Sequence, residues 1–190
     1  MQFERFNIDG IVAIIPTKRG DSRGFFSETY RKDLMAAEGV TAEFVQDNHV
    51  FSAERGVLRG LHFQTPPHAQ GKLVRCARGS ILDVCVDIRA GSPTFGQHVA
   101  IELSADNWKQ VWVPPGFAHG YVTLQADCQV IYMVTDYWAP DCERAIAWND
   151  PTLGIDWRVS PANLTLAEKD KRNPPLSELA PVFNFDPRSH

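Results

Sequence analysis

Hydrophobic residues in this chain recur in short runs rather than at helical spacing. Runs with alternating or β-branched composition follow one another at 11–15, 57–63, 72–77, 81–88, 98–103, 110–113, 120–124 and 129–137. Glycine and proline separate several of them, as at Gly91 and Pro93 or at Pro114 and Gly116. Many short strands with turns between them are typical of an all-β sandwich or barrel.

Alternation within two of these runs shows which side chains share a face. In 81–88 one face is apolar and is expected in the core: Leu82, Val84, Val86 and Ile88. The opposite face carries Asp83, Cys85 and Asp87. In 129–137 one face is mixed and carries Val130, Tyr132, Val134, Asp136 and then Trp138. Such a mixture indicates either a cavity wall or a partly solvated barrel face, and the pattern leaves both open.

Helical patterns are short and peripheral. Residues 31–38 predict two helical turns ended by Gly39, and 164–171 predict two more with Asn163 as the N-cap. Residues 173–190 are rich in proline and polar side chains and predict a surface tail. We therefore expect one domain over 1–190, with an N-terminal arm and strands at 1–50, a barrel core at 51–150 and a helical tail at 151–190.

Composition and charge exclude several functional classes. Hydrophobic residues make up 44% of the 190 positions and charged residues 22%, which is ordinary for a globular protein. A net charge of -4 argues against non-specific nucleic-acid binding, which needs a basic surface. No apolar run approaches the roughly 18 residues of a membrane helix, and the first residues show no secretory signal. We expect a cytoplasmic protein.

Two histidine-containing stretches resemble the metal motifs of cupin barrels. Residues 56–62 resemble the first motif, but Gln64 stands where a second histidine is expected, and the glutamate that should follow is absent. Residues 114–119 resemble the second motif, which ends in His119. The resemblance implies a cupin-like double-stranded β-helix, or jelly roll. Two histidines make a poor metal site, so we expect no metal, although His49 or His68 as a third ligand keeps a metal-dependent cupin as an alternative.

Three cationic side chains lie close together within an otherwise apolar pair of strands. We expect Arg59 and Lys72 to be buried there, in which case each needs a carboxylate partner or an anionic ligand. Strict alternation places Arg59 and His62 on opposite faces of their strand. Gly60 lies between them and would permit a bulge that turns one of them toward the other.

A longer set of motifs identifies a specific resemblance. The motifs occupy 21–28, 46–48, 56–62, 70–74, 83–89, 114–120 and 148–151, together with Tyr132. In this order and spacing they resemble the dTDP-4-dehydrorhamnose 3,5-epimerase family, which consists of cofactor-independent sugar-nucleotide epimerases built on a cupin jelly roll. The resemblance implies epimerisation at C3 and C5 of dTDP-4-dehydro-6-deoxy-D-glucose to dTDP-4-dehydro-L-rhamnose, in dTDP-L-rhamnose biosynthesis.

The same resemblance assigns roles to individual residues. It makes His62 the base, Asp170 the carboxylate that orients it, Tyr132 the acid on the opposite face and Lys72 the cation that stabilises the enolate. Arg23, Arg59 and His119 are expected to meet the diphosphate. The remaining expected contacts to the nucleoside or sugar are Glu28, Gln46, Asn48, Glu143 and Lys169, with Phe26 against the thymine and Trp138 stacked on the nucleotide.

The resemblance also implies partners and leaves alternatives open. It implies no cofactor and a homodimer whose exchanged N-terminal segments carry Arg23 and Glu28 into the partner's site. The alternatives are an epimerase that inverts only C3 or only C5 of another dTDP-4-keto-deoxysugar, and a non-catalytic cupin that binds a sugar nucleotide.

Overall fold

The computed structural model describes residues 1–187, and within that range the chain forms thirteen β-strands and one α-helix. In chain order they are β1 (Gln2–Arg5), β2 (Val12–Ile15), β3 (Arg19–Asp21), β4 (Gly24–Phe26), α1 (Lys32–Ala37), β5 (Gln46–Ser52), β6 (Leu58–Gln64), β7 (Lys72–Arg78), β8 (Ser80–Asp87), β9 (His98–Ser104), β10 (Gln110–Val113), β11 (Phe117–Thr123), β12 (Cys128–Val134) and β13 (Glu143–Ala145). The predicted all-β class is confirmed.

The strands form two antiparallel sheets and a separate hairpin. Sheet I has the order β1-β2-β10-β7-β12-β5, and sheet II has the order β13-β6-β11-β8-β9. Among residues 1–187, β3 and β4 pair only with each other. One apolar cluster unites inward-facing side chains of both sheets, among them Ala13 and Val111 from sheet I and Ile101 and Phe117 from sheet II. Two sheets that share one core in this way agree with the predicted jelly roll.

Strand β8 is buried on both faces, because sheet II is covered on its outer side as well. The alternation predicted for this strand is confirmed. Cys85 packs in the cluster between the sheets, whereas Leu82, Val84 and Val86 pack in a second cluster with Trp157. Residues 151–187, called here the C-terminal segment, supply much of the cover on the outer face.

Helix α1 confirms the helix predicted at 31–38 and ends as expected before Gly39. Gly39 has a φ of +84°, a conformation that glycine adopts without steric cost, and its amide closes the last turn on the carbonyl of Ala36. Met35 packs against Ile14 and Trp112 on the outer face of sheet I. None of the helices in the described range is long and apolar enough to cross a bilayer.

The helix predicted at 164–171 is wrong. Thr165 lies parallel to Val57 in an isolated bridge: its amide donates to the carbonyl of Gly56 (2.8 Å), and its carbonyl accepts from the amide of Leu58 (2.9 Å). These bonds hold the chain extended, so only a 3₁₀ turn at Asp170–Arg172 forms there. The local helical pattern loses because the sheet next to it offers backbone partners.

The described part of the surface tail predicted at 173–190 packs against sheet II. Leu176 is 7% exposed, and Phe183 contacts the cluster beneath it. Asn184 forms a parallel bridge with Ala90. The last three residues of the predicted tail lie outside the described residues. The division of the chain at residues 50 and 150 stays a prediction.

Candidate active site

A cavity of about 530 Å³ lies where β6, β7, β11 and β12 meet the C-terminal segment. Of the predicted site residues, those that line it are Arg59, His62, Lys72, His119, Tyr132, Glu143, Lys169 and Asp170. The sheets supply opposite sides of the wall, since His62 and His119 belong to sheet II whereas Lys72 and Tyr132 belong to sheet I. Of the mixed face predicted for the segment containing Tyr132, Tyr132 itself lines the cavity, whereas Val130 and Val134 are buried in the core and Trp138 is exposed.

His62 and Asp170 form the first hydrogen-bonded pair of the cavity. The Nε2 atom of His62 lies 2.6 Å from Oδ1 of Asp170, whose side chain is 3% exposed. A carboxylate only accepts hydrogen bonds, so Nε2 carries the proton and Nδ1 of the neutral ring is left as a proton acceptor. Burial lowers the pKa of His62 below its ordinary value, although the Asp170 hydrogen bond acts in the opposite direction. The imidazole is thus neutral at neutral pH and fit to act as a base.

His119 and Asp83 form a second pair directly beside the first. His119 is the register partner of His62 between β11 and β6. Its Nε2 atom lies 2.8 Å from Oδ2 of Asp83, and both side chains are buried. The thiol of Cys85 donates to the other carboxylate oxygen of Asp83 at 3.6 Å. This second pair is held entirely by strands of sheet II.

Lys72 presents its amine to the cavity from β7. Burial lowers the pKa of Lys72 to about 8, an effect that the negative charges of Asp83 and Glu143 partly offset. The ammonium form still predominates at pH 7. A cation in this partly buried position is suited to stabilising negative charge that develops on a bound substrate.

Arg59 lines the cavity beside a strand irregularity of the kind that Gly60 permits, and its side chain is exposed rather than buried as expected. The register of β6 against β11 shifts between His119 and Tyr121, next to Gly60, which has a φ of +135°. A Cβ atom at Gly60 would lie 2.5 Å from the Cα atom of Gly120, so no larger residue fits. Because of this irregularity Arg59 and His62 both line the cavity although strict alternation would separate them.

Tyr132 is half-buried on β12, on the side of the cavity opposite His62. Burial raises the pKa of its phenol above the ordinary value, and the charge of Arg59 acts against that rise. The phenol is therefore protonated at neutral pH and can donate a proton.

Glu143 and Lys169 form an ion pair at the cavity wall. The Nζ atom of Lys169 donates to Oε1 of Glu143 at 2.9 Å. Burial alone would raise the pKa of Glu143, but the hydrogen bonds from Lys169 and from the side chain of Trp138 outweigh it and lower that pKa. Both charged residues line the cavity.

Six predicted binding residues do not line this cavity within the single chain: Arg23, Phe26, Glu28, Gln46, Asn48 and Trp138. Arg23 lies in the β3–β4 hairpin, 87% exposed and paired with Asp21 at 2.6 Å. Phe26 and Glu28 line a separate cavity of about 50 Å³. Gln46 donates to Asn48 on β5 at 2.7 Å, and the side chain of Trp138 is largely exposed. The roles expected for these six stay predictions.

Two polar residues at or behind the cavity wall have no role in the sequence interpretation. Asp83 falls on the inward face of the predicted 81–88 strand and does not line the cavity itself, and only the structure shows its bond to His119. Tyr121 also lines the cavity, and its position two residues after His119 was the signal that could have identified it, because alternate residues of a strand share a face.

The two additional histidines considered as metal ligands contact other groups. Nε2 of His49 lies 3.2 Å from Oε1 of Gln129, and Nδ1 of His68 lies 3.1 Å from Oδ2 of Asp136. Within residues 1–187 no group of three or more histidine, cysteine, aspartate or glutamate side chains is arranged to hold a metal ion. The expectation of a metal-free site stays a prediction.

Comparison with known proteins shows the family. The sequence model described as dTDP-4-dehydrorhamnose 3,5-epimerase matches residues 5–178. An enzyme of that name from Pseudomonas aeruginosa is 51% identical over 173 residues, which cover 90% of this chain and 94% of the relative.

Solved structures give the same result for the fold. A dTDP-6-deoxy-D-glucose-3,5-epimerase from Legionella pneumophila, solved with dTDP-4-keto-L-rhamnose, superposes with a TM-score of 0.92 at 41% identity, covering 97% of this chain and 98% of that one. A 3'-monoepimerase from Streptomyces bikiniensis, solved with dTDP-quinovose, superposes with a TM-score of 0.82 at 32% identity, covering 90% and 86%. The predicted cupin-like jelly roll is confirmed. The chain belongs to the dTDP-4-dehydrorhamnose 3,5-epimerase family.

Proposed function

We propose that this protein epimerises C3 and C5 of dTDP-4-dehydro-6-deoxy-D-glucose and yields dTDP-4-dehydro-L-rhamnose for dTDP-L-rhamnose biosynthesis. The observation that carries the proposal is the arrangement of the cavity. A histidine–aspartate pair enters from sheet II, while a lysine and a tyrosine enter from sheet I. Groups on opposite sides of one cavity are what an inversion at carbon requires.

The substrate's ketone makes the chemistry possible. The C4 carbonyl acidifies the hydrogens on C3 and C5. A base removes one of these protons, and the bonding electrons move onto O4 to give an enolate. An acid then returns a proton to the same carbon from the opposite face of the ring, so the ketone is restored and the configuration is inverted.

His62 is the proposed base. Its neutral imidazole lies on the sheet II side, and the bond to Asp170 fixes the ring and stabilises the charged form that results from proton abstraction. This is the orienting role that a carboxylate performs in hydrolase triads, here supplied by the 3₁₀ turn within the C-terminal segment.

Lys72 and Tyr132 complete the reaction from sheet I. The Lys72 ammonium would stabilise the negative charge on O4, and the protonated Tyr132 phenol would supply the returning proton. Because His62 and Tyr132 approach from opposite sheets, a sugar bound between them presents one face to each.

The proposed binding groups divide between this chain and a partner. Arg59 and His119 would meet the diphosphate, with Glu143 and Lys169 beside the sugar or nucleoside. The exposed hairpin carrying Phe26, which is 65% exposed, supports a homodimer in which Arg23 and Glu28 enter the partner's cavity. Gln46, Asn48 and Trp138 would contact the nucleotide. The cytoplasmic location stays a prediction from the sequence.

A second candidate is an epimerase that inverts one carbon only. It is favoured by the similarity to the Streptomyces bikiniensis 3'-monoepimerase, which has the same fold at a TM-score of 0.82. Both candidates use the same chemistry and differ in which carbon reaches the base and the acid.

Deuterium incorporation distinguishes these functions. The protein is incubated in D₂O with dTDP-4-dehydro-6-deoxy-D-glucose and followed by NMR, and product is trapped with a downstream reductase. We expect label at both C3 and C5 and formation of dTDP-L-rhamnose. Label at one carbon would replace the proposal by the monoepimerase reading, and no label above that of a His62→Asn control would leave a non-catalytic binding protein.

A further inference from the structure

The β3–β4 hairpin is tied at both ends to the turn between β9 and β10, residues 105–109. Where the chain enters the hairpin, Nζ of Lys18 donates to the carbonyl of Ala105 at 2.8 Å. Where it leaves the hairpin, the indole N–H of Trp108 donates to Oγ of Ser27 at 3.0 Å. Within residues 1–187 no other strand pairs with β3 or β4, so side-chain bonds of this kind take the place of a sheet ladder.

Lys18 and Trp108, called here the clamp, also contact the aromatic residue Phe25 of the hairpin. The ring centroids of Phe25 and Trp108 lie 5.2 Å apart, with the rings at 83° to each other. The Lys18 ammonium lies 4.1 Å from the centroid of the Trp108 ring and 4.8 Å from that of Phe25. Edge-to-face aromatic pairs and cation–π contacts are both attractive. The clamp therefore holds one face of the hairpin through three kinds of contact.

Trp108 makes these contacts from a backbone conformation that bulky side chains disfavour. Its φ of +59° lies in the left-handed region, where a Cβ atom is sterically costly. Asn107 helps to hold the turn in this shape, because its Oδ1 atom accepts from the amides of Ser104 and Lys109 at 3.0 Å each. Strained positions of this kind persist where surrounding contacts compensate for them, and they cluster at functional sites. The contacts of the indole with the hairpin are that compensation here.

The other face of the hairpin has no such cover. Phe26 follows Phe25 directly, so the two rings lie on opposite faces of β4. Phe26 is 65% exposed, and the side chain of Arg23 at the hairpin tip is 87% exposed. Neither residue lines the 530 Å³ cavity of its own chain.

We propose that the clamp holds the hairpin as a preformed element that presents Arg23 and Phe26 to the cavity of a second copy of this chain. This inference rests on the proposed function, which places the hairpin in the partner's cavity. A loose hairpin would have to be ordered each time a substrate binds, and that entropy cost would weaken binding. Lys18 and Trp108 touch no substrate and act as positioning residues.

Kinetics of clamp variants test the proposal. Trp108→Gly removes the ring but keeps the turn, because glycine adopts a positive φ without steric cost. Loss of the preformed hairpin should raise KM by about 3- to 10-fold, with kcat unchanged since the cavity is intact. Lys18→Ala alters an exposed side chain and should also raise KM, so the test survives if Trp108→Gly does not fold.

Asp127→Gly is the matched control. Asp127 also has a positive φ, +54°, but lies outside both the hairpin and the cavity. Its replacement should leave KM unchanged. A KM that stays at the wild-type value in both clamp variants, or a loss that falls on kcat alone, would overturn the proposal.

A mixed dimer shows whether the hairpin serves the other chain. Co-expression with two different affinity tags allows isolation of dimers that contain one Trp108→Gly chain and one His62→Asn chain. The cavity with the intact base then receives the hairpin of the chain with the intact clamp, so KM should return to the wild-type value. A KM equal to that of the Trp108→Gly homodimer, or a protein that proves monomeric, would overturn the proposal.

Limited trypsin digestion gives a readout that does not depend on catalysis. Trypsin cleaves after arginine, and the hairpin contains Arg19 and Arg23. A hairpin released from the clamp should be cut there several times faster in Trp108→Gly than in the wild type or in Asp127→Gly. Equal rates in all three proteins would show that the clamp does not hold the hairpin. A wild type that incorporates no deuterium would instead defeat the proposed function, and the cleavage rates would still decide the role of the clamp.

Discussion

Two histidine–aspartate pairs lie side by side, each with its histidine in the cavity wall, and they are built differently. His62 takes its aspartate from the C-terminal segment, 108 residues further along the chain, whereas His119 takes Asp83 from the neighbouring strand of its own sheet. The His62 side chain is 22% exposed and that of His119 is 8% exposed. Both pairs join an imidazole Nε2 atom to a carboxylate oxygen, but the His62 ring is more exposed and therefore more accessible to a substrate.

The difference separates a proton-transfer role from a binding role. Asp170 bonds Nε2 of His62, which leaves Nδ1 as the proton acceptor of a ring that lines the cavity. The His119 pair is locked within sheet II, where Asp83 also accepts from Cys85 and lies near Lys72. We infer that the first pair moves protons while the second fixes charges around the ligand.

Removing each histidine gives the largest predicted contrast. His62→Asn should lower kcat by about 10²- to 10⁴-fold, the range expected for loss of a general base. His119→Asn should chiefly raise KM, by about tenfold, since it removes a binding contact. The coupled reductase assay measures both, with thermal melting to verify folding. A loss of kcat in His119→Asn equal to that in His62→Asn would remove the distinction between the pairs.

Neutralising Asp170 should have the next largest effect. Asp170→Asn keeps the shape of the side chain but misorients the His62 ring and destabilises its charged form, so kcat should fall by about 10- to 100-fold, part of the general-base contribution. Because Asp170 raises the pKa of His62, the acid limb of the pH–rate profile should move to lower pH. An unmoved limb would show that Asp170 acts only on the fold.

The pH dependence of the wild type should be bell-shaped, with limbs that belong to different groups. Activity rises as His62 loses its proton below pH 6.5, because burial lowers the pKa of that base. It falls above about pH 8, where Lys72 loses the charge that stabilises the enolate. Along each limb, kcat/KM changes about tenfold per pH unit.

The basic limb can be assigned through Asp83. Its negative charge raises the pKa of Lys72, so Asp83→Asn should move the basic limb to lower pH and leave the acid limb in place. We would measure kcat/KM from pH 5 to 10 for Asp170→Asn and for Asp83→Asn. Movement of the acid limb in the first variant and of the basic limb in the second assigns these limbs to His62 and to Lys72. Movement of the same limb in both variants would contradict the assignment.

The sequence predicts the strands and which residues of β8 share a face, because both depend on local alternation. It identifies Gly60 only as a position that permits a bulge. It also predicts the cavity residues His62, Lys72 and Tyr132 through family motifs. The helix predicted at 164–171 is wrong. A local helical pattern does not show that the backbone at the start of β6 forms hydrogen bonds with Thr165. The local pattern also does not reveal the buried, unpartnered hydroxyl of Tyr121, because its burial results from the packing of β11 between β6 and β8.

A third histidine–aspartate pair gives the smallest expected effect and the sharpest control. His68 and Asp136 lie 3.1 Å apart, but their side chains are 49% and 31% exposed and neither lines the cavity. Exposed ion pairs contribute little to stability because water screens them. His68→Asn should therefore change neither kcat/KM nor the melting temperature measurably. A loss of activity comparable to that of His119→Asn would mean that pairing itself, and not position in the cavity, sets the contribution of each histidine.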